Sequence, residues 1–136
     1  MDWTLEVAVV PVSDIDRAVS FYRDQLGFDL DHDQVIGGHR IAQLTPRGSG
    51  CSIAVGDLPA MRLMEPGTLK GLQLVVPDIE RAHRELVERD VAVSDITVLA
   101  PDRDGGRFFW FDDPDGNGWA VQEIKARAER PLIPRS

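Results

Sequence analysis

A short run rich in Val and Leu, Leu5 to Val10, is followed by apolar residues at helical intervals. Ile15, Ala18, Val19, Tyr22 and Leu26 fall at i, i+3, i+4, i+7 and i+11, a single stripe suited to packing a helix on a sheet. The same order returns with Leu72 to Val76 and then Ile79, Ala82, Leu86 and Val87. Near-twin segments join run to stripe: Val12-Ser13-Asp14-Ile15-Asp16-Arg17-Ala18 and, 64 residues later, Val76-Pro77-Asp78-Ile79-Glu80-Arg81-Ala82. The chain is one unit written twice.

The later parts of the copies correspond as well. Arg40-Ile41-Ala42-Gln43-Leu44, a turn from Thr45 to Gly50 and the run Cys51 to Val55 match Arg107-Phe108-Phe109-Trp110-Phe111, Asp112 to Gly118 and Trp119 to Gln122. Each unit reads β-α-β-β-β. The predicted class is α+β, with eight strands and two main helices in modules over residues 3–56 and 70–125. A Gly- and Pro-containing linker spans 56–69, and a tail over 126–136 falls outside the repeat. Two copies are too few for a solenoid, so the units pair sheet to sheet.

Local signals sharpen this outline. The first strand is expected over Trp3 to Val10, stopped by Pro11. Ser13 or Asp14 caps the first helix, Asp16 suits its positive end, and Gly27 ends it. Asp90 takes the place of Gly27 in the second copy, tolerable because Asp visits left-handed geometry more readily than most residues. Alternation over Phe28 to Asp33 places Asp29, Asp31 and Asp33 on one face and Phe28, Leu30 and His32 on the other. Val93 to Val98 is the next strand, and Leu99 to Gly106 is a polar loop able to flex over a pocket. In the tail, Leu132 and Ile133 either fray or dock on a partner chain.

Composition narrows the function. At 136 residues the chain is one domain's worth, burying about 68–70% of its unfolded surface. A net charge of −8 argues against nucleic acid or anionic membrane as partners, because phosphate neutralisation by Lys and Arg supplies most of that affinity. The one cysteine, Cys51, excludes an intramolecular disulfide and fits a reducing compartment. The apolar run near Val7 is too short for a signal peptide or a membrane span, so a cytoplasmic location is expected.

Lone chemical groups carry little. Cys51 has no local base to make it a thiolate nucleophile, and His32 and His39 have no partner at ligand spacing. His83 reads as a satisfied histidine at a helix-sheet seam. Asp113, Asp115, Asn117 and Gly118 imitate the first half of an EF-hand loop, but the twelfth position is Ile124 where a bidentate Glu belongs. A turn with Pro114 accounts for them.

The twin segment, continued by Ser20-Phe21-Tyr22-Arg23-Asp24-Gln25-Leu26-Gly27-Phe28 and joined near the end by Asp113-Pro114-Asp115-Gly116-Asn117, resembles the vicinal oxygen chelate superfamily of glyoxalases, bleomycin-resistance proteins and extradiol dioxygenases. The resemblance covers nearly all of residues 3 to 125. It implies paired βαβββ modules in a curled eight-stranded mixed sheet, helices on the outer face, with a cleft commonly completed in a homodimer. It names no reaction, since the fold hosts several.

In metal-using relatives a His, Gln or Glu precedes the helix-capping Asp of each copy by seven residues, and a Glu follows the Gly of Asp-Pro-Asp-Gly by four. Those positions here are Val7, Gly71 and Ala120, with Ser52 matching Ala120 in the first copy. None suits a divalent transition metal, so no metal and no cofactor are expected. Gln73 and Gln122, two residues along on the same faces, suit an organic ligand because a carboxamide donates and accepts at once. Gln43, Phe108 and Trp110 complete the ligand-binding candidates. Strand alternation sends about half of Phe108, Phe109, Trp110, Phe111 and Trp119 to the core, and alternation alone does not say which half.

The leading expectation is a metal-independent protein holding a small organic molecule, cationic or aromatic, as drug-sequestering bleomycin-resistance proteins do. The alternative is a lyase, isomerase or dioxygenase acting on a small metabolite, for which no ligand set is present. Metal-free acid-base catalysis is a third course, without a nominated base.

Overall fold

The computed structural model describes residues 1–130, so Leu132 and Ile133 of the tail lie outside the described residues. The first module comprises β1 (Val7–Val9), α1 (Ile15–Ser20) running into a π-helical turn (Phe21–Gln25), β2 (Asp29–Ile36), β3 (His39–Thr45) and β4 (Ser52–Gly56). The second comprises β5 (Lys70–Val76), α2 (Ile79–Glu88), β6 (Thr97–Val98), β7 (Arg107–Asp112) and β8 (Gly118–Glu123). The fold is α+β. Its eight strands divide into two four-stranded mixed sheets of matching order, β1-β4-β3-β2 and β5-β8-β7-β6. In each, the outermost first strand runs parallel to the last and the other pairings are antiparallel.

The repeated sequence builds repeated joints. Asp14 and Asp78 accept the backbone N–H groups of Arg17 and Arg81 at 3.0 and 3.1 Å, each satisfying a donor that the first helical turn leaves open. Two residues beyond each cap, Asp16 pairs with Arg40 and Glu80 with Arg107, tying each helix start to the third strand of its module. The helices end alike, with Gly27 at φ 78° and Asp90 at φ 62°.

Both helices and the helix-facing sides of both sheets feed one core, which takes in Val19, Phe21 and Tyr22, Leu44 and Val55, Ile79 and Leu86, and Phe109, Phe111, Trp119 and Val121. The π turn, marked by the Leu26 N–H bond to the Phe21 carbonyl, widens the helix so that two adjacent aromatics both point inward. Phe21 then meets Phe111, and Tyr22 meets Trp119. Among the described residues no helix is long and apolar enough to cross a membrane.

Four local expectations change. The first strand contracts from Trp3–Val10 to Val7–Val9, because β4 begins at Ser52 and its N–H to the Glu6 carbonyl is the last rung, leaving Trp3 87% exposed. In β2 the register shifts between Leu30 and His32. The bulge splits the acidic row: Asp31 accepts from the Thr45 hydroxyl, Asp33 pairs with Arg40, and His32 lies exposed across from Gln43. Val87 leaves the buried stripe, which runs through Ile79, Ala82 and Leu86 alone. The strand expected over Val93–Val98 shrinks to Thr97–Val98 plus one bridge at Val93. Ser94 interrupts it: its hydroxyl accepts the Trp110 N–H at 2.8 Å, and its carbonyl turns to His83 Nε2 at 2.9 Å.

The modules are joined by the turn between β7 and β8. Asp113 and Asn117 are buried there. The Tyr22 hydroxyl donates to Asp113 at 2.7 Å and accepts from Trp119 Nε1 at 3.0 Å. Asn117 donates to the Pro11 carbonyl at 2.8 Å and accepts from the Leu69 N–H at 3.1 Å. Burial first, and the Asp113 charge second, push the Tyr22 phenol far above its ordinary value of 10.0. A phenol whose pKa is raised on folding holds its proton more tightly in the native state. Its stabilisation is complete below pH 10 and is lost above it, by about 1.4 kcal/mol per pH unit. Tyr22 is the chain's one tyrosine. The urea midpoint is expected to fall as pH rises beyond 10, and Tyr22→Phe to flatten that decline; denaturant titrations from pH 8 to 11.5 check it.

Candidate functional site

Strand alternation on β5, β7 and β8 sorts the candidates. Trp119, Val121 and Glu123 of β8, and Phe109 and Phe111 of β7, are buried on the helix side. The intervening side chains take the opposite face: Phe108 and Trp110 on β7, Ala120 and Gln122 on β8, Gln73 and Val75 on β5. Ladder register puts Ala120 between Gln73 and Trp110, and Gln122 between Val75 and Phe108. Phe108 and Trp110 lie with centroids 6.0 Å apart and planes 12° apart, a near-parallel stacked pair that forms an aromatic panel on this face. Beside it, Gln73 Nε2 donates to Gln122 Oε1 at 2.7 Å, and Gln122 Nε2 donates to the Gly105 carbonyl at 2.7 Å.

Gln43 does not join them. It sits on β3 of the other sheet, across from Ala54 and His32. Val7 and Ser52 are also on that sheet, paired with each other. The Ser52 hydroxyl hydrogen bonds to the Thr45 hydroxyl at 2.6 Å, and Thr45 donates to Asp31. This carboxylate-hydroxyl-hydroxyl row escapes the sequence reading because it depends on the bulge at Asp31. Val75, 40% exposed beside Gln122, is a further member of the panel face; period-two counting from Gln73 would have found it.

The loop from Leu99 to Gly106 is tied down at its base. The Asp104 carboxylate accepts N–H bonds from Gly105, Lys125 and Ala126 at 3.1, 2.8 and 3.2 Å. Those bonds, Lys125's foremost, hold it below the usual carboxylate range. Gly106 lets the loop close: a Cβ there would stand 1.9 Å from the Ala100 carbonyl oxygen.

The panel face is open. Trp110 and Val75 are each 40% exposed. Two hollows among the described residues lie elsewhere: one of about 320 Å³ beside Asp16, Arg40 and Asp57, another of about 470 Å³ between the modules, lined by Phe28, Leu74, Leu86 and Phe109.

The sequence profile of the glyoxalase/bleomycin resistance protein/dioxygenase superfamily matches residues 4–121. The chain belongs to this superfamily. Among solved structures of the superfamily fold, TnmS3, an antibiotic binding protein from Streptomyces sp. CB03234, is 35% identical with a TM-score of 0.76, the alignment covering 90% of this chain and 97% of that one. A glyoxalase/bleomycin resistance protein from the same strain is 36% identical, TM-score 0.72, over 88% and 99% of the two chains. A superfamily member from Sphaerobacter thermophilus DSM 20745 is 31% identical, TM-score 0.76, over 90% and 98%. No curated protein matches.

The positions matched to metal ligands in metal-using relatives are those of Val7, Ser52, Gly71 and Ala120. They offer an alkyl group, a hydroxyl, no side chain and a methyl, which does not fit a divalent transition metal. Register adds a detail. Gln73 stands across from Ala120, while Gly71, at φ 98°, falls in the irregularity between Lys70 and Leu72 and has no partner in the ladder. Among the described residues no three His, Cys, Asp or Glu side chains gather in a group able to hold an ion.

Proposed function

We propose that this protein binds a small planar organic molecule against the face of the second sheet, without a metal ion, and so sequesters it. The observation that carries this reading is the near-parallel Phe108–Trp110 panel, Trp110 exposed and Phe108 half-buried, beside the Gln73–Gln122 pair. An aromatic panel gives a flat ligand stacking area, and the carboxamides orient it. Similarity to an antibiotic binding protein at 35% identity over nearly the whole of both chains supports a binding role.

An open sheet face makes only half of a cleft, and ligand sites are concave and bury most of their ligand. We place the other half on a second copy of the chain, in a homodimer that covers Val75 and Trp110. Light scattering at twice 15.1 kDa is the expected mass.

The deciding experiment is a thermal-shift screen of planar aromatics, cationic ones included, run beside additions of Ni, Zn, Mn and Fe. Some aromatic ligand is expected to raise the melting temperature through its preference for the folded state, and Trp110→Ala to weaken that ligand about tenfold, as loss of a central aromatic contact does. Stoichiometric tight binding of any of the metals would sink the reading.

A further inference from the structure

We infer that Gln73 presents the ligand with a hydrogen-bond acceptor of fixed orientation, so the site selects planar aromatic molecules carrying an O–H or N–H donor at their edge. This rests on the aromatic-panel reading above and adds to it a direction.

The direction comes from the backbone. A peptide carbonyl has lone pairs and no proton to give, so the group of Gln122 that lies 2.7 Å from the Gly105 oxygen is its NH2. The Oε1 of Gln122 therefore faces the other way, toward β5. There it meets Gln73 at 2.7 Å, and an oxygen at that distance requires the NH2 of Gln73. The Oε1 of Gln73 is left over. It accepts no bond among the described residues, on a side chain that is exposed. Turning over either amide would set oxygen against oxygen or NH2 against NH2, each a lost bond beside a repulsion.

The polarity is anchored because Gly105 is. Its N–H is held by Asp104, and the Asp104 carboxylate in turn holds the backbone after β8. The carbonyl is thereby fixed relative to the strand that carries Gln122.

Gln73 and Trp110 flank Ala120 from the two neighbouring strands, a separation of roughly 9–10 Å at ordinary strand spacing. A fused ring system lying on the panel and across the Ala120 methyl reaches Gln73 with its edge. An edge donor satisfies the Oε1. An edge acceptor or ether leaves that oxygen facing a lone pair or an alkyl group.

The test uses the full chain and two probes sharing one ring system, 2-naphthol and 2-methoxynaphthalene, titrated by calorimetry or tryptophan quenching. The measured quantity is the ratio of their dissociation constants. It is expected to favour 2-naphthol by about tenfold, the cost of leaving one polar partner unmet, and to fall toward unity in Gln73→Leu. Gln122→Leu frees the Gln73 amide to turn over and is expected to narrow the ratio too. If both probes bind the natural chain equally, the panel stands and the fixed acceptor is overturned. A preference that survives Gln73→Leu also overturns it. If neither probe binds, the panel reading itself fails and this inference falls with it.

Discussion

Asp113→Ala is expected to cost about 3–5 kcal/mol of folding stability, the range for removing one member of a buried, charge-bearing network. Asp113 is 5% exposed. Its Oδ2 takes the Tyr22 hydroxyl at 2.7 Å and Asn117 Nδ2 at 2.8 Å, while its Oδ1 takes the backbone N–H groups of Asn117 and Asp115 at 2.8 and 3.0 Å. Alanine strands these donors in a buried region, and the deficit falls on both modules at once, since Tyr22 belongs to the first and Asn117 to the second. Asp113→Asn keeps the shape and one acceptor, and is expected to lose about half as much. Urea unfolding followed by tryptophan fluorescence measures both. A loss below about 1 kcal/mol for the alanine variant would show that the turn is not what joins the halves.

That network also shows where sequence stops being legible. The duplication, the capping Asp14 and Asp78, and the order of strands all follow from local chemistry repeated 64 residues apart. Helical spacing, strand period and caps each depend on a few neighbouring residues, and here they agree. The Asp113-Pro114-Asp115-Gly116-Asn117 run could be read as a turn, and it is one: the Gly116 N–H bonds to the Asp113 carbonyl at 3.0 Å. Its second task, gripping Tyr22 and Pro11 about a hundred positions earlier, leaves no local trace.

The candidate site divides along the same line. Gln73 and Gln122 share a face because period-two counting along β5 and β8 is undisturbed from Leu72 onward. Which aromatics of β7 join them was settled by their neighbours: Phe109 and Phe111 stand across from Val121 and Trp119, both buried, so Phe108 and Trp110 must turn outward. Gln43 lies on the other sheet, across from His32 and Ala54, and its distance from this face is a matter of how the modules are placed. The β2 bulge is the clearest failure of alternation. One extra residue sends Asp31 toward Thr45 and Asp33 toward Arg40, undoing a three-carboxylate row that simple alternation predicts.

Glu123 carries the other large expected effect. It neighbours Gln122 on β8, points to the opposite face and is 4% exposed. Its carboxylate accepts the Ile79 N–H at 2.9 Å, capping the start of α2, and receives Arg107 through Nε at 3.1 Å and through a terminal nitrogen at 3.0 and 3.1 Å. Glu123→Leu is expected to cost about 3–4 kcal/mol, because among the described residues it leaves the half-buried Arg107 with only the exposed Glu80 as partner and the Ile79 N–H with none. Much of that loss is the uncompensated guanidinium. Adding Arg107→Met to Glu123→Leu is therefore expected to restore part of the stability, leaving chiefly the unmet Ile79 donor, about 1–2 kcal/mol. A double-mutant cycle in urea tests this: strictly additive losses would mean that Glu123 acts through the helix cap and that the Arg107 pair contributes nothing of its own.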